Sequence, residues 1–303
     1  MKKVVLITGA GGMLAGYLSK QLSPEYSVRY LTRNVTRDNE YLWDLKNKYI
    51  DPKGLTGVNY IIHLAGSSVA EKRWSKRRKQ NILSSRVDSS LLILEELKKS
   101  KITIDAFISA SATGYYGTVT SDTILNEESP QGNDFLSFVC NKWENTARLF
   151  KSEKVAKRVS VVRCGIIFSK KGGALKQIVK PVKYGFGSGI GTGNQYIPWI
   201  HIQDLCNIFK FFIENENISG IFNAVSSEHI TNIELVKKIA ETLNREIILP
   251  NIPAFIIKWI LGERAVMLLE GSRVSSDKII KLGFKFEYDD LDKALKNLLK
   301  SDK

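Results

Sequence analysis

The sequence is poor in the residue types from which metal centres and disulfide frameworks are built. Its 303 residues include 3 cysteines and 3 histidines. Cys140, Cys164 and Cys206 lie far apart and form no CxxC or Cys/His spacing. They read as buried free thiols, and no metal site is expected. Long apolar runs are also missing. The opening MKKVVLITGAGG is interrupted by glycine too early for the apolar part of a secretion signal, and no later stretch reaches spanning length. The chain is therefore expected to stay in the cytoplasm, without a membrane partner. Acid is in short supply, with 45 Lys and Arg against 31 Asp and Glu and a net charge of +14. Such an excess points toward polyanions. Most basic residues nevertheless fall singly on helix-like faces, and the densest run, EKRWSKRRKQ at 71–80, has no aromatic ladder or reading module around it. A lysine-rich solvated surface is expected and no nucleic-acid partner, part of the excess being left for a phosphate-bearing cofactor or substrate.

What is present is an alternation of two periodicities. An apolar fraction of 43% is enough for a full core and a smaller second lobe. Runs rich in Val and Ile at 3–7, 27–32, 59–64, 104–109 and 159–168 read as buried parallel strands. Helical patterns at 13–22, 75–99 and 137–151 are long enough for crossovers between them. This is the doubly wound α/β signature: a parallel Rossmann sheet. After 168 the rhythm breaks. A glycine-dense stretch, KYGFGSGIGTGNQ at 183–195, runs into IPWIHIQDL, and two further helical patterns follow at 230–243 and 289–300. The expected division is a nucleotide-binding domain over 1–168 and 201–226, with a smaller C-terminal α/β substrate lobe over 169–200 and 227–303.

The strongest local signal is ITGAGGMLAG at 7–16, directly after the first strand and opening the first helix. Gly9 allows a tight turn, Gly12 lets backbone approach a pyrophosphate, and Ala15 lets helix and strand pack closely. The phosphates then sit at the positive end of the helix. An NAD site usually places Asp or Glu at the end of the second strand to accept the ribose 2′-hydroxyl. Here that strand ends Leu31-Thr32-Arg33. With no carboxylate, and a guanidinium able to hold a 2′-phosphate through paired bonds, the expected cofactor is NADP.

With TGAGGMLAG, HLAG at 63–66, SATGYYG at 111–117 and WIHIQDL at 199–205 in this order, the chain resembles the extended short-chain dehydrogenase/reductases. More narrowly it resembles the YfcH-like epimerase-family proteins, an atypical branch. The branch's own matches are KRW at 72–74, SRV at 85–87, WEN at 143–145, the GIGTGNQYIPWIHIQDL stretch at 189–205, MLLEGSRV, and LGFKF. They cover nearly the whole chain, including a C-terminal segment of unknown function. The resemblance implies that Gly9, Gly12, Met13 and Leu14 form the pyrophosphate turn, and that Thr32 and Arg33 meet the adenosine phosphate. It places Asp44 and Leu45 near the adenine, Leu64 and Ala65 along the cofactor, and Arg86 beside it. Members of the superfamily often pair through helices of the nucleotide-binding lobe, so a homodimer is compatible with the resemblance.

Ordinary members use a Tyr-x-x-x-Lys pair on one helix turn for proton transfer. The matching helix reads DFLSFVCNKWENTARL. Counting back from Glu144 puts Cys140 where the lysine belongs and Leu136 where the tyrosine belongs. Neither does that work. Ser111 survives at the position of the substrate-orienting hydroxyl, followed by Tyr115 and Tyr116, and a tyrosine here can donate a proton if Arg86 or a lysine lowers its pKa. His63 and His201 read as structural. Two functions follow from the resemblance. One is an NADP-dependent oxidoreductase or nucleotide-sugar epimerase-like enzyme, acting on an unidentified small molecule through Ser111 and Tyr115 or Tyr116. The other is a catalytically silent NADP-binding module that engages a protein partner, for example in cell division. Fold analogy does not choose between them.

Overall fold

A computed structural model describes residues 2–300. The first half alternates β1 (Val4–Thr8), α1 (Met13–Leu22), β2 (Ser27–Thr32), β3 (Glu40–Asp44), β4 (Tyr49–Ile50), α2 (Pro52–Leu55), β5 (Tyr60–His63), α3 (Lys76–Lys99) and β6 (Ile104–Ala112). Then come β7 (Ile124–Leu125), α4 (Phe135–Ser152), β8 (Ala156–Cys164), β9 (Ile166–Ser169), β10 (Gly172–Gly173) and α5 (Ala174–Lys183). The chain continues through β11 (Trp199–His201), α6 (Ile202–Glu214), β12 (Gly220–Ala224), α7 (Asn232–Thr242) and α8 (Ala254–Leu261). It ends with α9 (Val266–Leu269), β13 (Arg273–Val274), α10 (Asp277–Lys281) and α11 (Leu291–Leu299).

Eight strands form one sheet in the order β12-β8-β6-β5-β1-β2-β3-β4, parallel except for the β3–β4 pair. The strand order reverses direction between β1 and β5, which opens a crevice at their carboxyl ends where α/β proteins bind ligands. The central strands are buried on both faces because helices cover both. One apolar layer joins Leu18 and Leu22 of α1 to Leu205, Phe209 and Phe212 of α6. The opposite layer packs Ile93 and Leu97 of α3 and Phe150 of α4 on Ile61 and Phe107. Side-chain caps set the starts of several helices. Ser75 accepts from the Arg78 N–H at α3, while Asp134 with Ser137 and Thr231 with Glu234 form reciprocal capping boxes at α4 and α7.

The apolar run at 159–168, expected as one strand, is two. It breaks at Gly165, where a Cβ would stand 2.4 Å from the Pro198 carbonyl oxygen. The chain there leaves the large sheet, and β9 pairs instead with β10 and β11 in a three-stranded sheet. Residues 166–168 thus belong to that small sheet and not to the large one. A third apolar cluster, with Phe168, Trp199, Leu235 and Leu295, fills the space between the small sheet, α5, α7 and α11. Among the described residues no helix is long and apolar enough to cross a membrane.

Candidate functional site

At the mouth of the crevice the backbone turns through Gly9 at φ +77, a conformation that costs residues with a Cβ. The Gly12 N–H donates to the Gly9 carbonyl at 2.8 Å and closes the turn. A Cβ at Gly9 would stand 3.1 Å from the Leu64 carbonyl oxygen, and one at Gly12 3.1 Å from the Gly9 carbonyl oxygen. α1 begins at Gly12 with no side-chain cap and no acid in its first turn, so its leading N–H groups face the crevice unneutralised. Met13, at its start, lies against the β9–β10 hairpin, 3.7 Å from where a Gly173 Cβ would sit.

Thr8 and His63 tie the two strand ends together. The Thr8 hydroxyl accepts from the Leu64 and Ala65 N–H groups at 3.0 and 3.1 Å, and lies 3.0 Å from His63 Nδ1. Its own proton therefore goes to Nδ1. The other ring nitrogen, Nε2, then donates to Ser89 Oγ at 3.2 Å. Burial pushes the His63 pKa down to about 3, so the ring is a neutral structural link, as expected from its sequence context. Leu64 and Ala65 are thereby pinned opposite Gly9. Arg86 of α3 donates to the Ser67 and Ile82 carbonyls and lies over the Trp143 ring at 5.0 Å. It makes no ion pair with a carboxylate among the described residues, and a Cβ at Gly66 would come within 2.9 Å of its guanidinium carbon. At the end of β2, Thr32 bonds locally to Asn34, and Arg33 is exposed with no carboxylate partner among the described residues. Asp44 caps the β3–β4 turn, accepting from the Lys46 and Asn47 backbone and from the Asn47 amide. Those bonds hold its carboxyl below the usual range. Leu45 is exposed beside it.

The corner where chemistry was sought is different. Ser111, Arg163 and Asn223 stand in register across β6, β8 and β12. Arg163 grips Glu144 of α4 from Nε and Nη2 at 2.8 and 2.9 Å, a fully buried bidentate pair. The Ser111 hydroxyl donates to the same carboxylate at 2.7 Å. From its remaining nitrogen Arg163 donates to the Tyr116 hydroxyl at 3.0 Å, and that hydroxyl donates to Asn223 Oδ1 at 2.7 Å. Asn223 in turn holds the Ser275 carbonyl and the Glu127 carboxylate. Tyr116 is beside Arg163 and not beside Arg86, and burial pushes its pKa up to about 12. The expectation of a tyrosine made acidic by Arg86 is thus corrected for Tyr116. Tyr115 differs: its ring lies 3.4 Å below the Arg163 guanidinium, and its hydroxyl makes no hydrogen bond among the described residues. Cys140, in the lysine's place, is buried with its pKa pushed up to about 12 and touches Ser111. Burial raises the Cys206 thiol likewise, and the half-buried Cys164 is raised as well.

Sequence reasoning used Glu144 as a landmark and passed over Arg163 and Asn223. The usable signal was an arginine inside the apolar run VSVVRCGIIF, because a charge within a doubly buried strand needs a partner. His201, by contrast, caps α6 by accepting the Gln203 N–H and stacks on Tyr288, while Asp204 accepts the Glu287 and Tyr288 N–H groups. Both roles are structural.

The last part of the chain packs over the loops that follow β5 and β6. β13 pairs with β7, and Ser272 donates to the Gly117 and Val119 carbonyls. Thr120 donates to Glu270 at 2.6 Å, Lys79 pairs with Glu263 at 2.6 Å, and Arg73 donates to the Ile260 carbonyl. Beside these contacts lies an open cavity of about 800 Å³, with Thr120, Thr192, Asn194, Lys258, Glu263 and Glu270 among its lining residues.

The profile of the NAD dependent epimerase/dehydratase family matches residues 5–224. The chain belongs to that family. A domain of unknown function, DUF1731, matches 252–298, a segment that helps line the cavity. Epimerase family protein YfhF of Bacillus subtilis is 31% identical, over 97% of both chains. Human epimerase family protein SDR39U1, solved with NADPH, superimposes with a TM-score of 0.89 at 28% identity, covering 97% of this chain and 98% of that one. A nucleoside-diphosphate sugar epimerase from Corynebacterium glutamicum gives 0.80 at 29% identity, over 99% of this chain and 58% of its own. The family's dinucleotide fits the residues present. Gly9 and Gly12 leave a cradle that a Cβ would fill, and the start of α1 presents free N–H groups to it.

Proposed function

We propose that this epimerase-family member binds NADP(H) along the carboxyl edge of the large sheet and exchanges hydride with a small polar molecule held beside the C-terminal segment. The observation that carries the cofactor assignment is the end of β2, Leu31-Thr32-Arg33, where Arg33 stands exposed and, among the described residues, without an ion-pair partner, and the strand ends in no carboxylate for a ribose hydroxyl. The NADPH held by the human relative supports the same reading. In this proposal Gly9, Gly12, Met13 and Leu14 receive the pyrophosphate, Thr32 and Arg33 the 2′-phosphate, and Asp44 and Leu45 border the adenine. Leu64, Ala65 and Arg86 line the remainder. Bound there, the nicotinamide supplies or accepts the hydride. The substrate lobe comprises 169–200 and 227–303, and its cavity offers hydroxyls, an amide, one cation and two carboxylates to a polar substrate.

Tyr115 is the residue assigned to the proton. Ser111 and Tyr116 spend their hydroxyls on Glu144 and Asn223, whereas the Tyr115 hydroxyl makes no hydrogen bond among the described residues and its ring lies against Arg163. Ser111 and Tyr116 act by holding that arginine in place. The absent lysine and the raised Tyr116 pKa favour a second reading, a silent NADP-binding module that works through a protein partner. Incubating the NADPH-loaded protein with carbonyls, alcohols and nucleotide sugars separates the two. Turnover that disappears in Tyr115→Phe with NADPH affinity kept supports the enzyme. Tight NADPH binding with no turnover across the panel decides for the module.

A further inference from the structure

The substrate-side lobe carries an apolar surface that is independent of the cofactor edge. α8 presents different faces to different surroundings: Ala254 and Lys258 line the cavity and Ile257 is buried. Phe255 and Trp259, one turn apart, project outward at 71% and 81% exposure. The segment leading into α8 adds Ile248 at 77% exposure, with Leu249 and Ile252. This segment runs alongside the loop after α5. Ile252 donates its N–H to the Gly189 carbonyl and accepts from the Gly191 N–H, and the Arg245 guanidinium donates to the Lys183 carbonyl. That loop contributes exposed Tyr184 and Phe186. Three neighbouring segments therefore present eight large apolar side chains, counting Ile260, to the outside. Isolated exposed apolar residues are ordinary in proteins, but a contiguous group marks a contact surface.

Charge says what kind of contact. From 174 to 193 the sequence contains Lys176, Lys180 and Lys183 and no acid, and between 244 and 260 Glu246 is the single acid, beside Arg245. We propose that this face docks on an anionic lipid surface, with Phe255, Trp259 and Ile248 entering the headgroup boundary and the lysines meeting the lipid phosphates. Aromatic and aliphatic tips ringed by long basic side chains suit such a boundary, because the lysine stems lie along the apolar region while their heads reach the phosphates. A second copy of the chain is the poorer occupant, since two molecules of net charge +14 would bring the same basic rims together. The contact is peripheral, as no described helix is long and apolar enough to span a bilayer. It departs from the expectation, drawn from composition alone, that no membrane is engaged.

The test uses the full chain and vesicles of phosphatidylcholine with or without phosphatidylglycerol. Of the five tryptophans, Trp43, Trp143 and Trp199 are buried and Trp74 packs on Phe135, so an emission change reports Trp259. The expected result is co-sedimentation with the anionic vesicles only, accompanied by a blue shift. Lys180→Glu with Lys183→Glu should weaken binding by roughly tenfold or more, and Phe255→Ser with Trp259→Ser should abolish both binding and shift. All four side chains are exposed, and an unchanged NADPH affinity would report that the variants fold. Absence of binding overturns the proposal, as does adsorption without a blue shift that survives Phe255→Ser with Trp259→Ser. A dimer that Trp259→Ser dissociates, in protein that ignores vesicles, overturns it in favour of a second copy.

Discussion

The carboxyl edge of the large sheet contains two corners built on opposite plans. At the β1–α1 corner the backbone is left open: Gly9 and Gly12 carry no side chain, α1 has no side-chain cap, and Arg33 and Arg86 pair with no carboxylate among the described residues. At the β6–β8–β12 corner the polar groups are closed on each other, Ser111 and Arg163 on Glu144 and Tyr116 on Asn223. Unsatisfied donors and cations at a rim await an anion, whereas a saturated buried network resists change. The first corner is thus open to an anion, and the second, where the superfamily ordinarily keeps its proton-transfer pair, is closed on itself. Tyr115 rests on the closed corner, its ring 3.4 Å from the Arg163 guanidinium, with a hydroxyl that makes no hydrogen bond among the described residues.

The largest effect is expected where the closed corner is broken from inside. Glu144→Ala would leave Arg163 buried and unpaired and should cost about 3–5 kcal/mol of stability in denaturant unfolding. An effect below 1 kcal/mol, on the order of a surface pair, would show that the network is not the rigid element described.

Acid should act next, through the link beneath the open corner. The His63 pKa is lowered in the fold from 6.5 to about 3, so its contribution is fully present above the unfolded value. It is lost as pH falls from 6.5 toward 3, by as much as about 1.4 kcal/mol for each unit. Stability measured between neutral pH and about pH 4 should fall less steeply in His63→Gln than in the natural chain. Identical slopes would contradict a buried neutral imidazole.

The two tyrosines should part company. Tyr116→Phe strands Arg163 Nη1 and Asn223 Oδ1 and should cost about 1–3 kcal/mol, while lowering any turnover less than Tyr115→Phe does. Tyr116 also adds an alkaline limb. Its raised pKa means stability present below the ordinary value of 10 is lost as pH climbs toward about 12, a loss missing in Tyr116→Phe. Gly9→Ala should have the smallest effect on the fold, about 1–2 kcal/mol for a Cβ at positive φ, while lowering NADPH affinity roughly tenfold or more because the cradle is filled. A variant that binds NADPH normally would remove the open corner from the account.

Much of this was legible where the signal is local. The turn at 9–12, the ends of α1, α3 and α4, and the parallel strands follow from glycine placement and apolar periodicity within one segment. The break at Gly165 was not, because its cause is the Pro198 carbonyl, 33 residues away in the sequence. Nor was β3, whose EYLWD is only partly buried and lacks a clean apolar pattern. The site divides the same way. Gly9, Gly12 and Arg33 announce themselves by position, but the row Ser111–Arg163–Asn223 exists only through strand register, which no local spacing encodes. Leu136 and Cys140 revealed what is missing; they could not reveal the ion pair that stands nearby.

Whether the open corner holds a 2′-phosphorylated dinucleotide, as proposed, is tested most sharply by binding measured directly. Titrating the purified protein with NADPH and with NADH, alongside Arg33→Ala, should show NADPH bound roughly tenfold or more tighter, with that preference erased in the variant and NADH binding unchanged. Equal affinity for the two dinucleotides in the natural chain, or a preference that survives Arg33→Ala, would contradict the proposal.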